Sequence, residues 1–183
     1  EGDPYIGEEN APVVLAYWSD YQCPYCKAVE VGHDQIPTEP AIPALIRDYV
    51  NTGKLKIVFK DYAFLGPDST TAALYGRAVW DLYPTRYYAW REAMYNAQDE
   101  EHGGFGDEAS ILTLTRTISG IDADALKARV AVNTDAYQEA IDADKAEGTS
   151  FGIQGTPGFI TGTTMLPGAV PLADLVAVID PQL

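Results

Sequence analysis

Apolar and polar positions alternate in three different rhythms along the chain. Val13-Val14-Leu15-Ala16-Tyr17-Trp18 is a continuous apolar run of strand length and predicts a buried strand. A helix is expected from about Cys23 to about Gly32. A second helical stretch follows Thr38, where Ile42, Leu45, Ile46 and Tyr49 recur at i, i+3, i+4 and i+7, and Gly53 fits its stop. Leu55-Lys56-Ile57-Val58-Phe59-Lys60 is the next strand. Strand, helix, strand demands a right-handed crossover if the two strands are parallel.

From Pro67 to about Gly148 the period is helical, broken by turn signals. Tyr87, Trp90 and Met94 form one stripe, and Ile111, Leu114 and Ile118 another. Leu126 with Val130, then Tyr137 with Ile141, mark two more helices, with Asp122 and Thr134 as N-caps. His102-Gly103-Gly104-Phe105-Gly106 reads as a flexible break between helices. After Gly152 the pattern returns to β: Phe159-Ile160-Thr161, a turn at Gly162-Thr163, then Thr164-Met165-Leu166 form a hairpin. A last helix carries Leu172, Leu175, Val176 and Ile179 on one face. The expected architecture is one small α/β sheet built from both chain ends, with a helical insertion between them.

Composition narrows the function classes. Hydrophobic residues make up 46% of 183, enough for a real core. No apolar run approaches the roughly 18 residues of a spanning helix. The formal charge of −15 argues against nucleic acid and against an anionic membrane surface. The acidity is spread along the chain and reads as a solvated surface, or as adaptation to high salt in the manner of halophilic archaeal proteins. The chain opens on Glu1 rather than Met and reads as a processed or trimmed form.

The chemistry sits in the two cysteines of Cys23-Pro24-Tyr25-Cys26, just after the first long strand and at the start of a helix. One helical turn brings both sulfurs within bonding range. The helix N-terminus supplies unpaired N–H groups and about half a unit of positive charge, which favours thiolate over thiol. Pro24 falls where a helix tolerates proline. Exposure assigns the roles: Cys23 at the helix tip is the nucleophile, and Cys26, one turn in, resolves the mixed disulfide. Three other readings stand beside this one. A structural disulfide closes too short a loop to stabilise much. A half zinc site lacks histidines at the right spacing from the cysteines, since His33 and His102 are the only ones. Two ordinary buried thiols fit the strand–helix junction poorly. Thr156-Pro157, before the strand at Gly158, would on its own be an ordinary trans turn.

Lesser candidates are Tyr25, either a substrate contact or an exposed spacer, and Asp20 and Lys60, which read first as exposed strand-end charges. Trp80, Tyr83, Tyr87, Tyr88, Trp90 and Tyr95 read as core packing before a peptide groove. Asp142 and Asp144 read as a solvated helix face rather than a cation site.

Taken together, these segments resemble the thioredoxin superfamily and, within it, the DsbA-like thiol–disulfide oxidoreductases, over about residues 7–181. The resemblance rests on Asn10-Ala11-Pro12-Val13, Ser19-Asp20-Tyr21-Gln22-Cys23-Pro24-Tyr25-Cys26, Val58-Phe59-Lys60-Asp61-Tyr62, the aromatic helix from Tyr88 to Tyr95, Gly152-Ile153-Gln154-Gly155-Thr156-Pro157 and Pro167-Gly168-Ala169. Cys-Pro-Tyr-Cys alone is shared with glutaredoxins; the later Gly-Thr-Pro and the insertion sharpen the match. It implies a thioredoxin fold, a central mixed sheet flanked by helices, with an inserted helical domain. The parts are 1–64 and 149–183 for the thioredoxin fold and 65–148 for the insertion. It implies that Pro157 is cis beside the cysteines and that the backbone of Thr156 pairs with an extended substrate. Gly158, Tyr83-Pro84-Thr85-Arg86 and the glycine-rich loop at 103–106 depart from the pattern and bear on substrate preference.

The activity implied is disulfide donation to protein thiols through Cys23 and Cys26. Pro24, Tyr25, Thr156 and Pro157 would line the site. No cofactor or metal is expected beyond the redox-active disulfide, no nucleic acid is expected as partner, and a redox partner must recycle the protein. A reductase or isomerase would use the same residues. A chaperone-like peptide binder or glutathione-dependent chemistry are further alternatives. The location implied is extracytoplasmic, secreted or anchored through a segment preceding Glu1.

Overall fold

The computed structural model describes residues 2–100 and 103–183. Five strands form one mixed sheet in the order β1-β3-β2-β4-β5: β1 is Tyr5–Ile6, β2 Val13–Ser19, β3 Leu55–Asp61, β4 Gly158–Thr161 and β5 Thr164–Pro167. β2 and β3 run parallel in the register Leu15↔Ile57 and Tyr17↔Phe59, and all other pairs are antiparallel. The sheet thus takes its centre from the N-terminal part of the chain and one edge from the C-terminal hairpin, as the pattern predicts.

Side-chain alternation in β2 places Val13, Leu15 and Tyr17 in the main core, which continues through Ile57, Phe59 and Phe159 into the helices. Trp18 points to the other face and packs with Tyr62 and Ile153 in a small second core. β1 is short and was not visible as a pattern. Backbone pairing, with the Phe59 N–H donating to Pro4 O at 2.8 Å, fixes it rather than any apolar run.

The helices are α1 (Pro24–Glu30), α2 (Ala41–Leu45, continuing as a wider turn over Ile46–Val50), α3 (Pro67–Leu82), α4 (Tyr87–Ala97), α5 (Glu108–Thr115), α6 (Ala123–Ser150) and α7 (Leu172–Ile179). Asp122 caps α6, accepting from the N–H groups of Asp124 and Ala125. Thr134 caps nothing. The expected pair of helices is one helix of 28 residues, and the Thr134 hydroxyl donates back to Val130 O at 2.7 Å inside it. A threonine that satisfies its hydroxyl against its own helix needs no helix start.

α6 lies hard against the sheet. Trp18 Nε1 donates to Asp144 O at 2.8 Å, and a Cβ on Gly148 would stand 2.7 Å from that same nitrogen. Glycine is required there by close approach rather than by conformation.

Three polar expectations are corrected. Asp142 is exposed, but Asp144 is buried and pairs with Arg77 and Lys60, so the two do not share a solvated face. Lys60 is no free strand-end charge; it reaches Asp3, Asp144 and Glu147. Asp20 is buried and fully engaged. Of the glycine-rich break, His102 lies outside the described residues, and residues 103–106 form turns. Among the described residues no helix is long and apolar enough to cross a membrane.

Candidate active site

The junction of β2 and α1 holds the two cysteines. The chain leaves β2 at Ser19 and turns through Asp20, Tyr21 and Gln22. Asp20 knots this turn: its carboxylate accepts from the N–H groups of Gln22 (2.8 Å), Phe64 (2.9 Å) and Leu65 (3.2 Å), and its carbonyl accepts from Cys23 N (3.1 Å). Cys23 is the N-cap of α1 and Pro24 its first residue. No side chain caps this helix; Pro24 has no N–H, and Cys26 and Lys27 donate theirs to Cys23 O, which leaves the Tyr25 N–H available to an anion near Cys23 Sγ.

Both cysteines are free thiols, and their surroundings differ. Cys23 is pulled down from its ordinary value to about 7, first by the hydrogen bond with the Cys26 thiol, with help from Thr156 and the backbone N–H groups of Cys26 and Tyr25; burial opposes the shift. Cys26 is pushed well above the ordinary thiol range by burial and by its neighbour Cys23. Exposure, the expected basis for dividing their roles, barely separates the two, at 4% for Cys23 and 0% for Cys26; the difference lies in the opposite directions in which their surroundings push them.

Cys23 Sγ donates to Thr156 O at 3.3 Å, across a sequence separation of 133 residues. The Thr156–Pro157 bond is cis. Thr156 Oγ1 is buried with no hydrogen-bond partner. Beside this loop runs a groove of about 450 Å³ lined by residues 152–158, Met165, Pro167 and Gly168. Gly158 is buried and lines it, and a Cβ there would stand 3.0 Å from Ile153, so a bulkier residue would force Ile153 to shift. Pro24 and Tyr25 form the first turn of α1 directly after Cys23; Tyr25 is exposed, and both line a different groove with His33 and Gln98. The structure therefore brings Cys23, Cys26, Thr156 and Pro157 together.

The aromatic stripe is core. Tyr87, Trp90 and Tyr95 are buried, and Tyr21 stacks on Tyr95 and meets Trp90 edge-on. Three groups near the pair carried no motif. Gln98, just after α4, donates to Tyr21 O and Cys23 O. Glu30 and Arg91 form a fully buried ion pair at 2.7 Å between α1 and α4. The one available signal was a charge at position 30, four residues after Cys26 and on its buried helix face.

A family model described as thioredoxin matches residues 1–181. The chain belongs to this thioredoxin family. Within it the chain is DsbA-like, as its relatives show. It is 26% identical over 157 residues to disulfide bond formation protein D of Bacillus subtilis, covering 86% of this chain and 66% of that protein, so it spans just under two thirds of that relative's length. The thiol-disulfide exchange protein alpha-DsbA2 of Wolbachia pipientis superposes with a TM-score of 0.83 at 30% identity, covering 99% of this chain and 87% of the other. The oxidised BdbD of Bacillus subtilis matches in fold with a TM-score of 0.83 at 21% identity, over 98% of this chain and 92% of its own.

Proposed function

We propose that this thioredoxin-family chain is a protein dithiol–disulfide oxidoreductase that works as a disulfide donor. The observation that carries the reading is the asymmetry of the pair: Cys23 caps a helix beside Thr156 and the open groove, while Cys26 is sealed beneath it. The names of its relatives, a disulfide bond formation protein and a thiol-disulfide exchange protein, support the same chemistry.

In the donor cycle the protein starts with the Cys23–Cys26 disulfide. A substrate thiolate attacks Cys23 Sγ; the Cys23–Cys26 bond breaks, and Cys26 leaves as a thiolate that takes up a proton. A second substrate thiolate then attacks the substrate sulfur of the mixed disulfide. Cys23 leaves as the thiolate that its surroundings stabilise. Two electrons pass from the substrate dithiol to the pair, and the exchange balances without metal, nucleotide or flavin. A separate oxidant must restore the disulfide. The backbone of Thr156 holds the substrate segment as an added strand, and Tyr25 and Pro24 touch it from the other side. Disulfide donation persists outside the reducing cytosol, so an extracytoplasmic location follows from the chemistry. The protein substrates carry thiols.

The test is the reduction potential of the pair in glutathione buffers, with thiolate absorbance read in parallel. A donor gives a potential well above the roughly −270 mV of a thioredoxin-type reductant. A value near that figure would overturn donation in favour of a reductase, the second reading that the same residues allow. The thiolate signal should titrate near 7 and vanish in Cys23→Ser, together with dithiol oxidation. The sign of the stability effect follows. Cys23 is depressed in the folded state, so reduced protein gains stability as pH rises past 7 towards the unfolded thiol value of about 8.5, and loses it as pH falls through 7. The melting temperature of reduced protein minus that of Cys23→Ser should therefore climb between those pH values.

A further inference from the structure

The loop that carries Cys23 is held from one side by the segment between α4 and α5. Tyr95 donates its hydroxyl to Asp20 O at 3.3 Å. Gln98 Nε2 donates to Tyr21 O at 2.6 Å and to Cys23 O at 3.2 Å. Gln22 Nε2 in turn donates to Phe105 O at 2.9 Å. The carbonyls of Asp20, Tyr21 and Cys23 thus all accept from side chains of the helical insertion.

Gln98 is the centre of this arrangement. It is buried, and it sits directly after the last turn of α4, where its own N–H donates to Tyr95 O. Its backbone carbonyl accepts from Lys27 Nζ at 2.6 Å. It therefore grips α1 twice, at Cys23 O through its side chain and at Lys27 through its main chain, one helical turn apart. Cys23 O also receives the N–H groups of Cys26 and Lys27, each at 3.1 Å. That carbonyl belongs to the peptide joining Cys23 to Pro24. Its orientation fixes where the following N–H groups of Tyr25 and Cys26 point relative to Cys23 Sγ. Those N–H groups are among the donors that favour the thiolate. A group that sets the peptide plane sets their aim.

We propose that Gln98 is a positioning residue for thiol exchange: it fixes the Cys23–Pro24 peptide and so makes the helical insertion part of the redox machinery. The proposal deepens the oxidoreductase reading and rests on it. It needs the amide as a donor, because both side-chain contacts go to carbonyl oxygens. A group that merely filled space there could be any side chain of similar length.

The experiment uses the full chain with Gln98→Met, of similar length but no donor, and Gln98→Glu, of the same shape with an acceptor where the donor stood. Thiolate absorbance of Cys23 and the equilibrium constant with glutathione are measured on each. Loss of the donor is expected to raise the Cys23 titration and shift the equilibrium about threefold to tenfold toward the disulfide form, the equivalent of up to one pKa unit. Gln98→Glu should shift further in the same direction, since its carboxylate faces two carbonyls and a developing thiolate. If both variants keep the titration and the equilibrium within about twofold of wild type while melting earlier, Gln98 is a structural tie and the proposal falls. In wild-type protein the Gln98 side-chain amide resonances should move between the oxidised and reduced forms. Identical resonances in the two forms would overturn the proposal even if the variants do not fold. A low wild-type potential would remove the donor direction while leaving the Gln98 shift measurable, so the two ideas fail separately.

Discussion

Two arginines fasten the helical insertion to the sheet, and they do so in opposite environments. Arg91 of α4 meets Glu30 of α1 with 2% and 0% of the two side chains exposed. Its guanidinium also donates to Ser19 Oγ at 2.8 Å and lies 4.4 Å from the Phe59 ring centre and 5.1 Å from that of Tyr17. Arg77 of α3 is equally central but wetter at its edges. It donates to Asp61 at 2.6 Å, to Asp3 at 3.0 Å and to Asp144, while Lys60 adds Asp3, Asp144 and Glu147. Asp61 is 16% exposed and Glu147 42%. A dry pair has neutral neighbours but no second opposite charge and no water to fall back on. A shared network of two cations and four acids has both. The first should fail sharply when cut, and the second should yield gradually and respond to salt.

The sharpest test is Arg91→Met. It leaves Glu30 buried without its cation, and removing one partner of such a pair costs about 3–5 kcal/mol. Urea denaturation of the oxidised protein measures it. Burial pushes the Glu30 carboxyl up, against the pull of Arg91. Without Arg91 only the Tyr88 hydroxyl still opposes that rise, so the variant's folded state binds the proton more tightly than the unfolded chain. Its stability should therefore be best at acid pH and fall as pH rises through the folded value. Glu30→Leu combined with Arg91→Met should recover most of the loss. A single-variant cost below about 1 kcal/mol would end the contrast between the two regions.

Arg77→Met is expected to cost less, about 2 kcal/mol, because Asp3, Asp61 and Glu147 can draw in water. Its distinguishing mark is salt. The variant leaves Lys60 with three acids and Asp61 without its cation, and at 1 M ionic strength the screening length is about 3 Å, so much of the deficit should return. The Arg91→Met deficit, out of reach of counter-ions, should not. Equal salt responses would show that the two sites share one environment.

Neither site was legible in the sequence, and the reason is general. Apolar period and turn residues announce which segments become strands and helices, and they served for β2, β3, the hairpin and α7. They are silent on which charges meet across the fold. Lys60 and Asp144 look like surface residues from their own segments, and become partners because α6 crosses β3. Thr134 shows the converse error: a residue type that caps helices elsewhere was satisfied internally. The placement of the two cysteines was legible because it is local, four residues at one helix start. Its companions Thr156 and Pro157 were legible through family resemblance, since nothing in their own segment points to Cys23. Gln98 left no trace, because a glutamine after a helix is unremarkable until the carbonyls it faces are known.

The acid excess extends the salt contrast to the whole molecule. With a formal charge of −15, self-repulsion should be relieved as salt rises, and the wild-type melting temperature should increase by several degrees between low salt and molar salt. Most of that gain should persist in Arg91→Met and grow in Arg77→Met. A flat or falling wild-type curve would remove the high-salt reading of the composition and confine salt sensitivity to the network.

The smallest effect expected lies inside the dry region itself. The Tyr17 ring packs against Phe59, Phe159 and the Arg91 guanidinium, and its buried hydroxyl has no hydrogen-bond partner. An unpaired buried hydroxyl carries its desolvation cost with no return, so Tyr17→Phe should be neutral or stabilise by up to about 1 kcal/mol. The ring stack on Phe159, with centroids 4.6 Å apart, survives the change. Burial already holds the phenol above its ordinary range, so no charge is lost at working pH. A loss of more than about 1 kcal/mol in Tyr17→Phe would mean that an ordered water satisfies the hydroxyl. The region around Arg91 would then be wet like its counterpart around Arg77, and the salt response of Arg91→Met would be expected to follow.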